Sequence, residues 1–159
     1  MKHLNQFITE YIIKKKLDKP IDSEYHYEYF PDTKEELIKN IKECFNDKRY
    51  NLNCIDTSKI TDMSYVFKLI TDAHNVNFDI SDWDVSNVEY MQHMFDDCIR
   101  FNCDLSKWNI ENILDMKFMF NGCKKFKGKG LENWDVTGKD IRGLLNDCYN
   151  INKPSWYNK

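Results

Sequence analysis

The residues of this 159-residue chain best suited to chemistry are its six cysteines and four histidines. Cys44, Cys54, Cys98, Cys103, Cys123 and Cys148 contain no Cys-x-x-Cys pair. His3, His26, His74 and His93 contain no His-x-x-x-His pair, so the ligand spacing of a structural zinc site is absent. Nucleophilic catalysis needs a thiol or hydroxyl within hydrogen-bond reach of a base. The nearest candidates are His93 and Cys98, which are five apart and on a helix would point to different sides. Asp79, Asp82 and Asp84 offer oxygens for calcium. They lack a glycine-bearing loop, however, and Lys107 takes the place of Asp82 one repeat later. The pattern predicts a non-enzymatic chain with no metal and no cofactor.

Cys98, Cys123 and Cys148 follow one another at intervals of 25 residues, which predicts a stacked column of reduced thiols serving as small apolar filler. A disulfide between stacked coils is the other option. The column belongs to a wider repeat. Trp83-Asp84-Val85-Ser86-Asn87-Val88 is echoed by Trp108-Asn109-Ile110-Glu111-Asn112-Ile113 and by Trp134-Asp135-Val136-Thr137, at intervals of 25 and then 26. Such periods mark solenoids, in which each unit buries its apolar face against its neighbours.

Within the reference unit, Ser86 and Glu89 form a capping-box pair. Val88, Met91, Met94 and Phe95 then read as one helical face. Ile113, Met116, Met119 and Phe120 repeat it, as do Ile60, Met63, Val66 and Phe67, and finally Ile141, Leu144 and Leu145. Trp83 and Val85 are two apart, as are Trp108 and Ile110, and Trp134 and Val136, which is strand spacing. Each unit is thus expected to hold a short helix and a short parallel strand, in an α/β solenoid of about four repeats over residues 54–159. Residues near 68–77 absorb about three extra positions. Trp156 stands where a fifth coil would begin, and Lys153-Pro154-Ser155 is expected to end the stack.

Residues 1–53 are not repetitive and are expected to form an α-helical N-terminal cap, because a solenoid end otherwise exposes a raw apolar coil. Leu4, Phe7, Ile8, Tyr11 and Ile12 read as an amphipathic helix ending in Lys14-Lys15-Lys16. Residues 25–30 alternate as a strand would. Thr33 and Glu36 open a second helix, with Leu37, Ile38, Ile41, Cys44 and Phe45 as its apolar face. As alternatives, the first helix or the tyrosines at 25, 27 and 29 would dock a partner.

The net charge of −3 is spread evenly and argues against nucleic acid. The Lys124, Lys125, Lys127 and Lys129 cluster reads as a solvated loop. No secretory signal or membrane-length apolar run is seen, so the expected location is the cytoplasm or a virion. The outward residues Asp82, Asp84, Lys107, Asn109, Asn133 and Asp135 line one surface and are the candidate interaction strip. An alternative role for the Asp or Asn after each Trp is to hydrogen-bond neighbouring backbone.

The strings Met-x-x-Met-Phe-x-x-Cys at 91–98 and Phe-Asn-x-Asp-Leu-Ser-x-Trp-Asn-Ile at 101–110 resemble the BspA-type leucine-rich-repeat surface proteins. More closely, they resemble the related mycoplasma lipoprotein-associated repeat of unknown function. The resemblance covers about residues 54–150 and implies a leucine-rich-repeat-like solenoid with a binding role, often adhesion at a bacterial surface. The expected function is a protein–protein interaction module from a low-GC bacterium or phage. A cell-surface adhesion repeat is the alternative, and pairing with a second copy stays open.

Overall fold

Met91 and Met94 close one turn and Phe95 and Cys98 close the next, each through an N–H to carbonyl bond three residues back. The residue before each closing N–H is left-handed: His93 at φ 56° and Asp97 at φ 63°. A type II turn carries positive φ at this third position, and a right-handed helix excludes it. The same two positions recur as Phe118 and Gly122, then as Gly143 and Asp147, with Tyr65 at the first of them in the earliest repeat.

The structure is a computed structural model and describes residues 27–158. It corrects the expected architecture. Among the described residues the repeats contain neither the expected short α-helix nor a strand, so this is not a leucine-rich-repeat-like α/β solenoid of helix–strand units. Among the described residues the one α-helix is α1, Lys34–Asn46, and no sheet forms. Parallel pairing is confined to isolated bridges, including Asp62↔Tyr90, Tyr90↔Asp115 and Asp115↔Asp140. The misreading has a physical cause. Apolar residues at i, i+3, i+4 and i+7 suit one helical face, and they suit equally the inward corners of two successive turns. Trp83 and Val85 are both buried, but turns closing at Trp83 and Val88 place them there, not a strand.

The turns stack as regularly as strands would. Met91, His93, Phe95 and Asp97 donate N–H to the carbonyls of Asp115, Lys117, Met119 and Asn121 at 2.8–2.9 Å. Met116, Phe118, Phe120 and Gly122 repeat this toward Asp140, Arg142, Leu144 and Asn146 at 2.9–3.1 Å. Every second peptide group therefore lies along the stack, carbonyl toward the N-terminal end and N–H toward the C-terminal end.

Side chains reinforce the register. Phe67, Phe95 and Phe120 form a column with ring centroids 5.3 Å apart at each step. Phe78, Phe101 and Phe126 form a second column, and each ring leans on one of the first at 4.2–4.4 Å. Stacked pairs of this kind contribute about 0.5–1.5 kcal/mol each beyond burial. Trp83 Nε1 donates to the Leu52 carbonyl at 2.9 Å, Trp108 to Ile80 at 3.2 Å and Trp156 to Leu131 at 2.8 Å. Trp134 alone departs from this series. Its buried Nε1 has no partner, where a residue is inserted and Gly130 crowds the Leu105–Ser106 backbone.

At the N-terminal end, α1 takes the place of the turns. Thr33 Oγ1 accepts from the Glu36 N–H at 3.2 Å, and the Glu36 carboxylate accepts from the Asp32 N–H at 2.7 Å. The expected capping pair thus forms, with Glu36 reaching one residue further back than the cap. Leu37, Ile41, Cys44 and Phe45 are buried against the first repeat, where Phe45 meets Phe78 at 5.8 Å. Residues 27–30 form no strand, and Tyr29 makes a single bridge to Ile55. The expected helix at residues 4–12, its lysine tail and Tyr25 lie outside the described residues. The extra positions near 68–77 are taken up by a 3-10 turn, Thr71–Asn75.

Candidate interaction surfaces

An Asp or Asn at a chain reversal can accept from the backbone N–H two residues on, fixing the turn with its own side chain. Asp84 does so from Ser86, Asn109 from Glu111 and Asp135 from Thr137, each at 3.0 Å. The backbone bond to Thr137 also holds the Asp135 carboxyl below its usual value. Asp79 and Asp104 cap a second corner toward Ser81 and Ser106, again at 3.0 Å. Asp62, Asp115 and Asp140 cap a third toward Ser64, Lys117 and Arg142 at 2.7–3.3 Å.

The interaction strip expected from the sequence is therefore also a line of turn corners. Asp84, Lys107, Asn109, Asn133 and Asp135 are exposed and Asp82 is half-buried. Asp82 takes its backbone N–H to Asn53 Oδ1 at 3.0 Å and pairs its carboxylate with Lys107. Asn133 lies in the short 3-10 turn Leu131–Asn133. The first bonds of Asp82, Asp84, Asn109 and Asp135 are thus internal.

The residues weighed for catalysis and metal binding do not converge. His93 Nδ1 meets Asp96 at 2.6 Å, while its ring is stacked between Tyr65 and Phe118 at 4.8 and 5.1 Å. Cys98 is fully buried, and burial pushes its thiol up. Asp79, Asp82 and Asp84 have separate partners. Among the described residues no group of three or more His, Cys, Asp or Glu is placed to hold a metal ion. In the lysine cluster, Lys129 pairs with Asp104 at 2.6 Å, and that pair leads the effects that hold the Asp104 carboxyl down at about 2. Lys124, Lys125 and Lys127 are exposed.

Two features were missed in the sequence. The first is Asp96, buried to 2% exposure, which binds three repeats together by accepting from Lys68, His93 and Asn121. The second is the C-terminal end of the stack. In the last repeat Ile141, Gly143, Leu145 and Asp147 occupy the positions whose N–H groups face the next repeat. Among the described residues these four N–H groups have no acceptor. A side-chain pattern carries no sign of such a row, because it is made of backbone alone. Half-buried Val136, Ile141, Ile151, Trp156 and Tyr157 pack on the core near this end, and Tyr149 is 73% exposed.

Two open grooves cross the stack. One, of about 530 Å3, is lined by residues including Ser58, Lys59, Asn87, Glu89 and Leu114. The other, of about 420 Å3, runs past Tyr65, His93, Phe118 and Arg142. Among the described residues no helix is long and apolar enough to cross a membrane. No curated protein and no solved structure matches the chain. The repeat itself is diagnostic: residues 35–156, from α1 through Trp156, match the family model described as "Mycoplasma protein of unknown function, DUF285", and the chain belongs to that family.

Proposed function

We propose that the chain is a non-enzymatic protein–protein interaction module that receives an extended segment of its partner on the open end of the stack. One observation carries this reading: the unpaired N–H row at Ile141, Gly143, Leu145 and Asp147. Within the stack, the equivalent rows of the two middle repeats each hold four carbonyls of the following repeat, and that of the first repeat, at Met63, Tyr65 and Phe67, holds three. A row of unpaired, partly exposed amides is a template for another backbone. The fitting partner offers carbonyls on alternate residues, with apolar side chains to meet Ile141, Trp156 and Tyr149. In this reading residues 1–53 include the cap and residues 54–159 the binding stack. Two C-terminal ends are poor partners for each other, because donors would face donors.

The test is amide hydrogen exchange on the chain alone and with a partner captured from bacterial lysate. Protection gained at residues 141, 143, 145 and 147 supports the proposal. Protection at Asp82, Asp84, Lys107, Asn109, Asn133 and Asp135 instead would move the site to the strip of corners. Unchanged exchange at both would sink the module reading. The likeness of the strings at 91–98 and 101–110 to BspA-type repeats keeps a second reading, adhesion at a cell surface. That reading expects the chain to bind intact cells without a soluble partner.

A further inference from the structure

One column of the stack pairs charges across the junctions between its layers. Asp62, Tyr90, Asp115 and Asp140 are joined in it by successive parallel bridges. The aspartates divide their two oxygens between two tasks. Oδ1 caps the turn of its own repeat, accepting from the backbone N–H of Ser64, Lys117 or Arg142 two residues on. Oδ2 of Asp62 and of Asp140 receives a cation from the preceding layer, Lys34 of α1 at 2.9 Å and Lys117 at 3.7 Å. Lys117 is shared, since it also meets Asp115 of its own repeat at 2.9 Å.

Arg142 lies one repeat on from Lys117, with only half of that arrangement around it. Its guanidinium pairs with Asp140 of its own repeat, Nη2 to Oδ2 at 2.7 Å and Nε to Oδ1 at 2.9 Å. Among the described residues it meets no carboxylate of a following layer, and its side chain is 75% exposed. A guanidinium carries more N–H donors than one carboxylate can use. Arg142 also sits between Ile141 and Gly143, whose N–H groups start the open row. The next member of the bridge column would place its carbonyl on the Ile141 N–H, as Asp115 does on Met91 and Asp140 on Met116.

We propose that Arg142 selects the partner, and that the docking segment starts with an aspartate whose carbonyl takes the Ile141 N–H and whose Oδ2 takes the Arg142 guanidinium. This rests on the reading of the N–H row as the docking edge. Aspartate fits better than glutamate, because its short side chain caps the segment's own turn with Oδ1 while Oδ2 stays with the cation. The segment belongs to another protein and not to a second copy of this chain. Here Asp62, Asp115 and Asp140 are already engaged through both oxygens, and α1 covers the end of the stack where a repeat would otherwise be presented.

The test titrates the isotope-labelled full chain with an acetylated and amidated synthetic peptide of residues 115–121, Asp-Met-Lys-Phe-Met-Phe-Asn, and follows the amide signals by NMR. The expected shifts are concentrated at residues 141, 143, 145 and 147. The same peptide with Asp115→Lys is expected to bind about fivefold more weakly. The chain variant Arg142→Glu, altered at an exposed side chain and checked by circular dichroism, should reverse that preference. Equal affinity of the two peptides for both chains would overturn the role of Arg142 and leave the N–H row standing as the docking edge. No shift at the four amides with the aspartate peptide would overturn the proposed segment, while the exchange footprint of a lysate partner still decides the wider reading. Concentration-dependent dimerisation of the chain without peptide, with shifts at the same four amides, would replace the other protein by a second copy.

Discussion

At its N-terminal end the stack carries a helix, and at its C-terminal end it carries a turn-built repeat with an open row of N–H groups. The two ends occupy equivalent places, since Lys34 of α1 reaches across to Asp62 and Ser64, where later repeats contact one another. The helix satisfies its own backbone through i→i−4 bonds and needs a neighbour only for its apolar face. The turns satisfy half of their peptide groups through the adjacent repeat. A stack of such turns can therefore be closed by a helix, whereas a final repeat of turns leaves donors unpaired. The difference teaches that the repeats depend on each other for hydrogen bonds as well as for apolar burial.

The largest expected effect tests that dependence at the closed end. Ile41→Ala removes a fully buried side chain at the junction of α1 and the first repeat. A loss of about 2–5 kcal/mol is expected by urea denaturation. Ile141→Ala, at a half-buried position of the last repeat, is expected to cost less than about 1.5 kcal/mol. Equal losses would mean that the C-terminal end is as fully closed as the N-terminal one.

The repeat, its core positions and its register were legible because tryptophan and phenylalanine spacing records which side chains meet. Trp83, Trp108, Phe95 and Phe120 are all in the core as their periodicity requires. The backbone conformation was not legible, because the inward spacing at Met91, Met94, Phe95 and Cys98 fits a helix and a pair of turns alike. One signal was present. Gly122 and Gly143 occupy the two left-handed positions in successive repeats, and a glycine in either suits positive φ. It was masked by Tyr65, His93 and Phe118, residue types that give no sign of a left-handed backbone. The line of Asp and Asn residues after each Trp was legible both as a surface and as turn chemistry.

Gly143→Ala sharpens the comparison between the last repeat and its neighbour. Gly143 is at φ 64°, and a Cβ there would lie 2.3 Å from the Phe118 ring. Left-handed strain and the displaced ring together are expected to cost about 1–3 kcal/mol, read as a lower urea midpoint. A neutral result would show that the last repeat already yields freely, which would weaken it as a rigid binding edge.

Acid should loosen the middle of the stack through Asp96. Burial alone would raise the Asp96 carboxyl, but hydrogen bonds from Lys68, Asn121 and His93 outweigh it and hold the group below the ordinary value of 3.8. A carboxyl depressed in the folded state contributes stability that is present above its unfolded pKa and is lost as pH falls through the folded one. Stability is therefore expected to decline as pH falls below 3.8, by about 1–2 kcal/mol for this group. Asp96→Asn should flatten that part of the curve in pH-dependent denaturation. A decline of unchanged depth in the variant would assign the acid sensitivity elsewhere.

The smallest effect separates a frayed end from a rigid one. Asp97 and Asp147 are at the same left-handed position, at φ 63° and 54°, but only Asp97 has a following repeat to receive its N–H. Glycine at either position relieves the backbone and also loosens the unfolded chain, so the net gain is expected to be only about 0.5 kcal/mol. Chemical denaturation of Asp97→Gly and Asp147→Gly, measured side by side, compares the two. Equal gains mean that the last repeat holds its left-handed turn without a neighbour and presents the N–H row preformed. A gain at Asp97 alone means that the last turn forms only when something pairs with it. The partner's affinity would then include the cost of ordering that turn.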